Sequence, residues 1–414
     1  MDTRNKINYP VLILLFIAGE AIFFLPFVLP RIFRLTLLQV FDLSNSELGD
    51  LFSVYGLVAI GCYFLGGPVA DRFKARWLLS GALIITGISG FYLASIPPKG
   101  ALYGLYAFYG VSTIMLFWAA MLRATRDYGG VGNAPLAYGI LDGGRGLIAA
   151  LIGFVAVGLL QDVIPTDAGS ITPEERKEAF QVVIYFFSSF VVLAGLAVLF
   201  ALRTPPPNAA QPRFEPSQIW KAFKMPAVWR QSLIILCAYS AYRVTDAFPA
   251  LAETYLNMNE SAAAAFTSQL LWVRPLGAIA GGILGTSIRT SRLIVGAFAI
   301  IFLCGLLVGF GASQVSILLP FLIIIMAMAA SIYALRGLYF AVMEEMEIPI
   351  AITGTVVGIA SIVGFLPDVY MAKLIGVFLD DFPRKQGHQY VYLVMAGFAL
   401  LGGVTALTIA RRKA

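Results

Sequence analysis

The 414-residue chain is 59% hydrophobic and only 13% charged, with a formal net charge of +6, and its mean hydropathy is +0.84. Such a composition lies well outside ordinary soluble usage, so a water-soluble enzyme or nucleic-acid-binding domain is excluded as the main body of the protein. Repeated long apolar runs exclude a transmembrane β-barrel, whose strands alternate in shorter segments.

At roughly 20 apolar residues per helical crossing, the length and the short connectors accommodate about twelve spans. Met1 to Pro10 is a short polar stretch without a small-residue cleavage pattern, so the first span is expected to stay in the mature protein. The spans are placed near Tyr9–Leu29, Leu48–Ala70, Trp77–Ile96, Gly100–Leu122, Ala134–Leu160 and Ala179–Leu202. A linker, Arg203–Arg230, follows, with Pro205, Pro206 and Pro207 and then a short helical pattern around Ile219, Trp220 and Phe223. The second half repeats the plan near Gln231–Tyr255, Ala262–Ser287, Leu293–Gly311, Ile317–Val342, Ile350–Leu379 and Tyr390–Ala410. The domains are therefore expected at 1–202, 203–230 (the linker with an interfacial helix) and 231–414. Ser44 with Glu47, and Thr172 before Pro173, are expected to open helices, the first as a capping box.

Of the 29 Lys and Arg residues, 17 fall in segments that are inside if both termini are inside, 7 fall outside (Arg31 and Arg34 among them), and the remainder lie within spans. The positive-inside rule then predicts cytoplasmic termini, a cytoplasmic linker and an even span count. The basic balance is a product of topology and gives no reason to expect nucleic acid. Cys62, Cys237 and Cys304 all lie in apolar runs and read as small buried hydrophobes. No cofactor or metal site is expected, and neither a P-loop nor a nucleophile elbow appears.

The second span ends in Gly67-Pro-Val-Ala-Asp71-Arg72-Phe-Lys-Ala-Arg76. This resembles the major facilitator signature G-x-x-x-D-R-x-G-R-R, with Lys74 in place of the second glycine. The second-half counterpart, Gly282-Ile-Leu-Gly-Thr286-Ser-Ile-Arg289, keeps the glycine and a basic residue but has Thr286 for the aspartate. The resemblance implies an all-α fold of two pseudo-symmetric six-helix bundles, a multi-pass bacterial inner-membrane transporter, and a cytoplasmic gate formed by Gly67, Asp71, Arg72 and Arg76. It also implies that the first, fourth, seventh and tenth helices line a central cavity. The fifth span carries Gly139-Ile-Leu-Asp142-Gly143-Gly144-Arg145-Gly146, glycine-rich as in drug antiporters but without their proline. The eighth, Leu270-Leu-Trp-Val-Arg274-Pro275-Leu-Gly277, resembles the arginine–proline segment of monocarboxylate carriers and has the intramembrane arginine of oxalate carriers.

Ionisable residues deep in a span cost about 2.5–3.5 kcal/mol each on insertion scales, so each calls for a partner, a wet cavity or a task. Glu20, Arg243, Asp246, Arg274 and Asp368 are of this kind. Arg243 with Asp246, and Asp142 with Arg145, are three apart and can each neutralise one another on one helix face or act as latches. Arg336 near the inner surface is read with Asp142 and Arg145 as part of a gate. Glu20 and Arg274 have no opposite charge on their own helix one turn away, and the arginine fork suits a carboxylate. The expected substrate-binding set is Arg274, Glu20, Arg243, Trp118, Tyr242 and Tyr339, and the proton-coupling candidates are Glu20, Asp246 and Asp368. Packing or interface anchoring is the competing account of the aromatics, and burial among helices that of Glu20 and Arg274. His388, at the outer end of the last span, is a poor proton relay.

The functional expectation is a secondary transporter of a small organic anion, a carboxylate or sugar acid, working by alternating access with protons as the preferred coupling ion and the lipid bilayer as surroundings. A monomer is expected, without nucleic acid as a partner. The rivals are an exporter of amphipathic or neutral compounds and, in a different class, an intramembrane enzyme or receptor.

Overall fold

A computed structural model describes residues 8–129, 134–164, 171–202, 220, 222–277, 280, 284, 288–311, 318–346, 348 and 353–411. In hydrocarbon every backbone polar group must be satisfied within its own segment, and accordingly the described residues are helical with short connections. Nine helices among them are long and apolar enough to cross a membrane, matching predicted spans two to six and nine to twelve. The first predicted span is a bent pair, Tyr9–Ala21 (α1) and Phe24–Ile32, with 45° between its parts, and makes a tenth if counted once. The seventh and eighth fall short for identifiable reasons. The seventh is Pro226–Val244 and Phe248–Leu256 separated by a 3₁₀ turn. The eighth starts as Glu260–Leu271, breaks at Trp272, and passes partly outside the described residues.

Local chemistry sets several starts. Ser44 Oγ accepts from the Glu47 amide while Glu47 accepts in return from the Ser44 amide, opening the 28-residue helix Asn45–Arg72 (α2). Thr172 and Glu175 do the same for Pro173–Ala201 (α3). Asn259 Oδ1 accepts from the Ala262 amide at 2.8 Å and starts Glu260–Leu271. Large apolar side chains such as Phe64, Leu193, Phe200 and Phe310 stand exposed on the helix surfaces, as lipid-facing residues should.

The chain forms two compact units: 1–206 with 246–272, and 207–245 with 273–414. Residues 246–272, which by sequence belong to the predicted seventh and eighth spans, thus pack in the first unit.

In the first unit, Ala75–Ala94 and Pro173–Ala201 lie against one another, and a Cβ added at Gly87 would come within 2.9 Å of the Ser188 carbonyl oxygen. In the second, Thr290–Gly309 and Arg384–Arg411 pack similarly, and a Cβ added at Gly305 would come within 3.0 Å of the Tyr392 carbonyl oxygen. Small residues are what permit such backbone approach.

Most of the linker, 203–219, lies outside the described residues, as do Gly282 and Thr286 and the side chain of Asp71. At the linker's end Ala222 and Val228 are buried with Val356 and Ile359, while Trp220, Phe223 and Trp229 are exposed.

Candidate functional site

Among the described residues, each unit holds a cluster of charged interior residues that includes sites named from sequence. In the first, α1 ends one residue after Glu20, and a π-helical segment, Phe24–Val28, contains Pro26. The broken helix points Glu20 at Arg145 of Ala134–Gln161: Arg145 Nε is 3.1 Å from Glu20 Oε2, and both side chains are buried. Arg145 Nε also donates to the Gly19 carbonyl at 3.0 Å. Asp142, one turn away, is 3.7 Å from Arg145 Nη1 and a third exposed. The guanidinium stands 5.3 Å from the Phe23 ring centroid and 5.5 Å from that of Trp118, close enough for cation–π attraction. Trp118 ends a second π-helical segment, Val111–Trp118.

In the second unit, Pro226–Val244 ends one residue after Arg243. Arg243 is fully buried, and its Nε is 3.4 Å from Asp368 Oδ1, near the start of Pro367–Asp381. The Tyr239 hydroxyl donates to Asp368 Oδ2 at 3.3 Å. The Arg336 guanidinium lies 4.0 Å from the Tyr242 ring centroid and 6.0 Å from that of Tyr239, and the Tyr242 ring in turn meets Tyr333 edge-on.

Arg243 and Asp246, expected to face one another on one helix, each also reach a residue far away in sequence. A 3₁₀ turn at Thr245–Ala247 follows Arg243 and contains Asp246, so the spacing between the two is not that of a continuous α-helix. Arg243 goes to Asp368, and Asp246 goes to Arg31, whose Nε donates to Asp246 Oδ1 at 2.6 Å. Arg31 and Arg34, read from sequence as outer-loop residues, are buried, Arg34 donating twice to Asn45 Oδ1. The Asp142–Arg145 pair is present, but Glu20 is the closer carboxylate.

The two ion pairs share one sequence offset. Glu20 and Arg243 are 223 positions apart, as are Arg145 and Asp368, and as are the prolines that follow the two helix breaks, Pro26 and Pro249. At that offset a carboxylate–arginine pair in the first unit is matched by an arginine–carboxylate pair in the second. Sequence reading missed this because neither pair is local. The common offset of the prolines was the available signal.

Arg274 is buried at the start of a short helical stretch after the break at Trp272. Gly277, one turn on, sits where an added Cβ would be 3.1 Å from the Ala330 carbonyl oxygen. Tyr339 is buried, its carbonyl accepting from Gln231 Nε2.

At the signature motif, Arg72 is exposed, Arg76 stands 5.3 Å from the Trp77 ring centroid, and a side chain at Gly67 would meet nothing. Arg123, which sequence reading did not single out, donates from Nη1 to the Ala70 carbonyl at 2.6 Å. It occupies one of the orphan carbonyls at the end of α2. In the second unit, Glu345 accepts from the Ser291 amide at 3.0 Å and lies 3.5 Å from Arg289 Nη2. A carboxylate from a different segment thereby reaches the basic residue of the degenerate motif copy.

Residues 11–372 match the family model of the Major Facilitator Superfamily, and the chain belongs to that superfamily. It is 26% identical over 389 residues to the inner membrane protein YqcE of Escherichia coli K12, covering 91% of this chain and 88% of that protein. Among solved structures it resembles a bacterial homolog of the human lysosomal transporter Spinster, with TM-score 0.73, 17% identity and 97% of each chain covered. It resembles a D-xylose-proton symporter to the same TM-score, with 14% identity and 98% of each chain covered. The fold is therefore the major facilitator fold, and the protein is a membrane transporter of small molecules rather than an enzyme.

Proposed function

We propose that this transporter moves a small organic anion, a carboxylate or sugar acid, across the bacterial inner membrane by alternating access, coupled to protons. Two bundles, 1–202 and 231–414, would do the rocking, with both termini and the linker cytoplasmic. The inner-membrane placement draws on YqcE and the orientation on the distribution of basic residues.

The observation that carries the substrate class is the charge of the second unit's interior. Arg243 and Arg336 accompany Asp368 there, with Tyr239 and Tyr242 packed among them, and Arg274 is buried in the same unit. Guanidinium groups held away from bulk water bind carboxylates by paired, charge-assisted bonds, and an arriving anion offsets part of their desolvation. Arg274 has the further support of its break-then-proline setting, where Pro275 cannot donate a backbone bond. In the first unit, Glu20 beside Arg145 supplies a carboxylate whose protonation would release its partner, which is the support for proton coupling.

Thermal unfolding of the purified protein against carboxylates, sugar acids, neutral sugars and neutral amphiphiles tests the assignment, since a bound ligand raises apparent stability. Stabilisation by an acid and not by its neutral counterpart is expected. Stabilisation by amphiphiles alone would replace it with the exporter reading.

A further inference from the structure

Rings and charges meet at one place in the first unit. Phe23, just past the end of α1, and Trp118, at the end of Val111–Trp118, have ring centroids 6.2 Å apart in an edge-on arrangement. Both centroids lie within 5.5 Å of the Arg145 guanidinium. Phe23 continues into packed rings: Phe27 is 6.0 Å away and in turn meets Phe52 and Tyr55. Those three are buried, whereas Phe23 and Trp118 are only half-buried. The two rings are thus the accessible edge of an otherwise closed aromatic stack.

What this edge faces follows from Asp142. Its side chain is a third exposed, although it stands about 12 Å along its helix from Ala134. Trp118 stands at a similar depth, about 10 Å before Thr125 at the end of its span. A carboxylate so deep does not expose a third of its surface to hydrocarbon, so this surface is wet. Arg145, 3.7 Å from Asp142 and beside both rings, ties the three side chains to one wall. An ionised carboxylate has about four acceptor sites and no donor, so beyond its contact with Arg145 it suits groups that donate. The rings beside it suit an apolar C–H face. Hydroxyls set around a C–H face are the chemistry of a sugar ring. A second cation is disfavoured there, because Arg145 already stands beside both rings.

We propose that Phe23, Trp118 and Asp142 form the subsite for the polyhydroxylated ring of the substrate, the aromatic rings taking a C–H face and Asp142 accepting from hydroxyls. Within the organic-anion reading, on which this inference rests, the substrate is then a sugar acid and not a short monocarboxylate. Asp142 becomes a specificity-determining residue rather than part of a gate.

The test measures affinity on the full-length protein in detergent with glucuronate, galacturonate, lactate and glucose. Wild type is expected to bind at least one hexuronate about tenfold or more tighter than lactate. Trp118→Leu and Phe23→Leu should each lower that hexuronate affinity roughly tenfold and leave lactate unchanged. Asp142→Ala should do the same, while Asp142→Asn, which retains an acceptor oxygen, should keep part of the preference. A merely structural role would weaken both acids alike, so folded variants that keep the wild-type ratio of hexuronate to lactate affinity overturn the inference. Should one ring variant fail to fold, the ratio in the other and in Asp142→Ala decides. A wild type that binds lactate as tightly as either hexuronate overturns this inference alone and leaves the organic-anion reading standing. Glucose bound as tightly as the hexuronates removes the organic-anion reading while supporting the ring subsite. A wild type that binds none of these compounds removes both.

Discussion

Arg31 Nε and Asp246 Oδ1 are 2.6 Å apart in a buried pair, although 215 positions separate the two residues in sequence. A second such tie, Arg176 Nε to Glu260 Oε1 at 2.8 Å, joins the start of α3 to the start of Glu260–Leu271 within the same unit. Removing one member of a buried pair leaves the other charge desolvated, at a cost of about 3–5 kcal/mol. Asp246→Asn should therefore lower the apparent stability in detergent by an amount of that order, and the double swap Arg31→Asp with Asp246→Arg should recover much of it. An Asp246→Asn protein as stable as wild type but blind to a pH gradient would instead give this residue to proton coupling.

Glu20→Gln is expected to abolish accumulation driven by a pH gradient and to spare exchange of substrate down its own gradient. The carboxylate is buried against Arg145 at 3.1 Å, so neutralising it mimics permanent protonation of that pair. Uptake by proteoliposomes with and without an imposed gradient separates the two activities. Unchanged gradient-driven uptake would shift the role to Asp368 or remove protons from the cycle.

Asp71→Asn and Arg72→Ala should slow transport while leaving ligand binding largely intact, because the motif stands at the helix end rather than among the buried charges. Arg123→Gln belongs to the same class, since it frees the Ala70 carbonyl that Arg123 now occupies. Binding and counterflow measured on one preparation are the check. Loss of binding with normal exchange per bound ligand would move the motif out of the gate.

Single cysteines at Ser217 and Ser170, both outside the described residues, should label only from the cytoplasmic side and only from the outer side, respectively. Inverted labelling would reverse the orientation drawn from the basic residues.

Hydropathy made ten of the spans legible because a crossing helix must be long, apolar and continuous, and the Ser44–Glu47 box was legible because its chemistry is local. The seventh helix shows where this ends. Spacing alone joined Arg243 to Asp246, and it could not name Asp368 and Arg31, the distant residues that the two also reach across a 3₁₀ turn. Arg31 and Arg34 were lost the same way: a basic pair after a proline looks like a loop, while the bend after Ala21 carries it into a buried helix. Of the charged clusters, the local Asp142–Arg145 pair was readable and the distant contacts of Glu20 and Arg243 were not.

The glycine-packed helix pairs divide the molecule into struts and joints. At Gly90 an added Cβ would overlap the Ser188 side chain, and at Gly402 it would overlap the Phe298 ring, so neither seam can slide by a residue without collision. Each pair must travel as one rigid beam. The interruptions at residues 22–28 and 245–247 lack a regular α-helical ladder, and a proline stands in or just after each. Glu20 and Arg243 stand immediately before those two joints. A change in either one's charge would act where the α-helical ladder of its own helix stops.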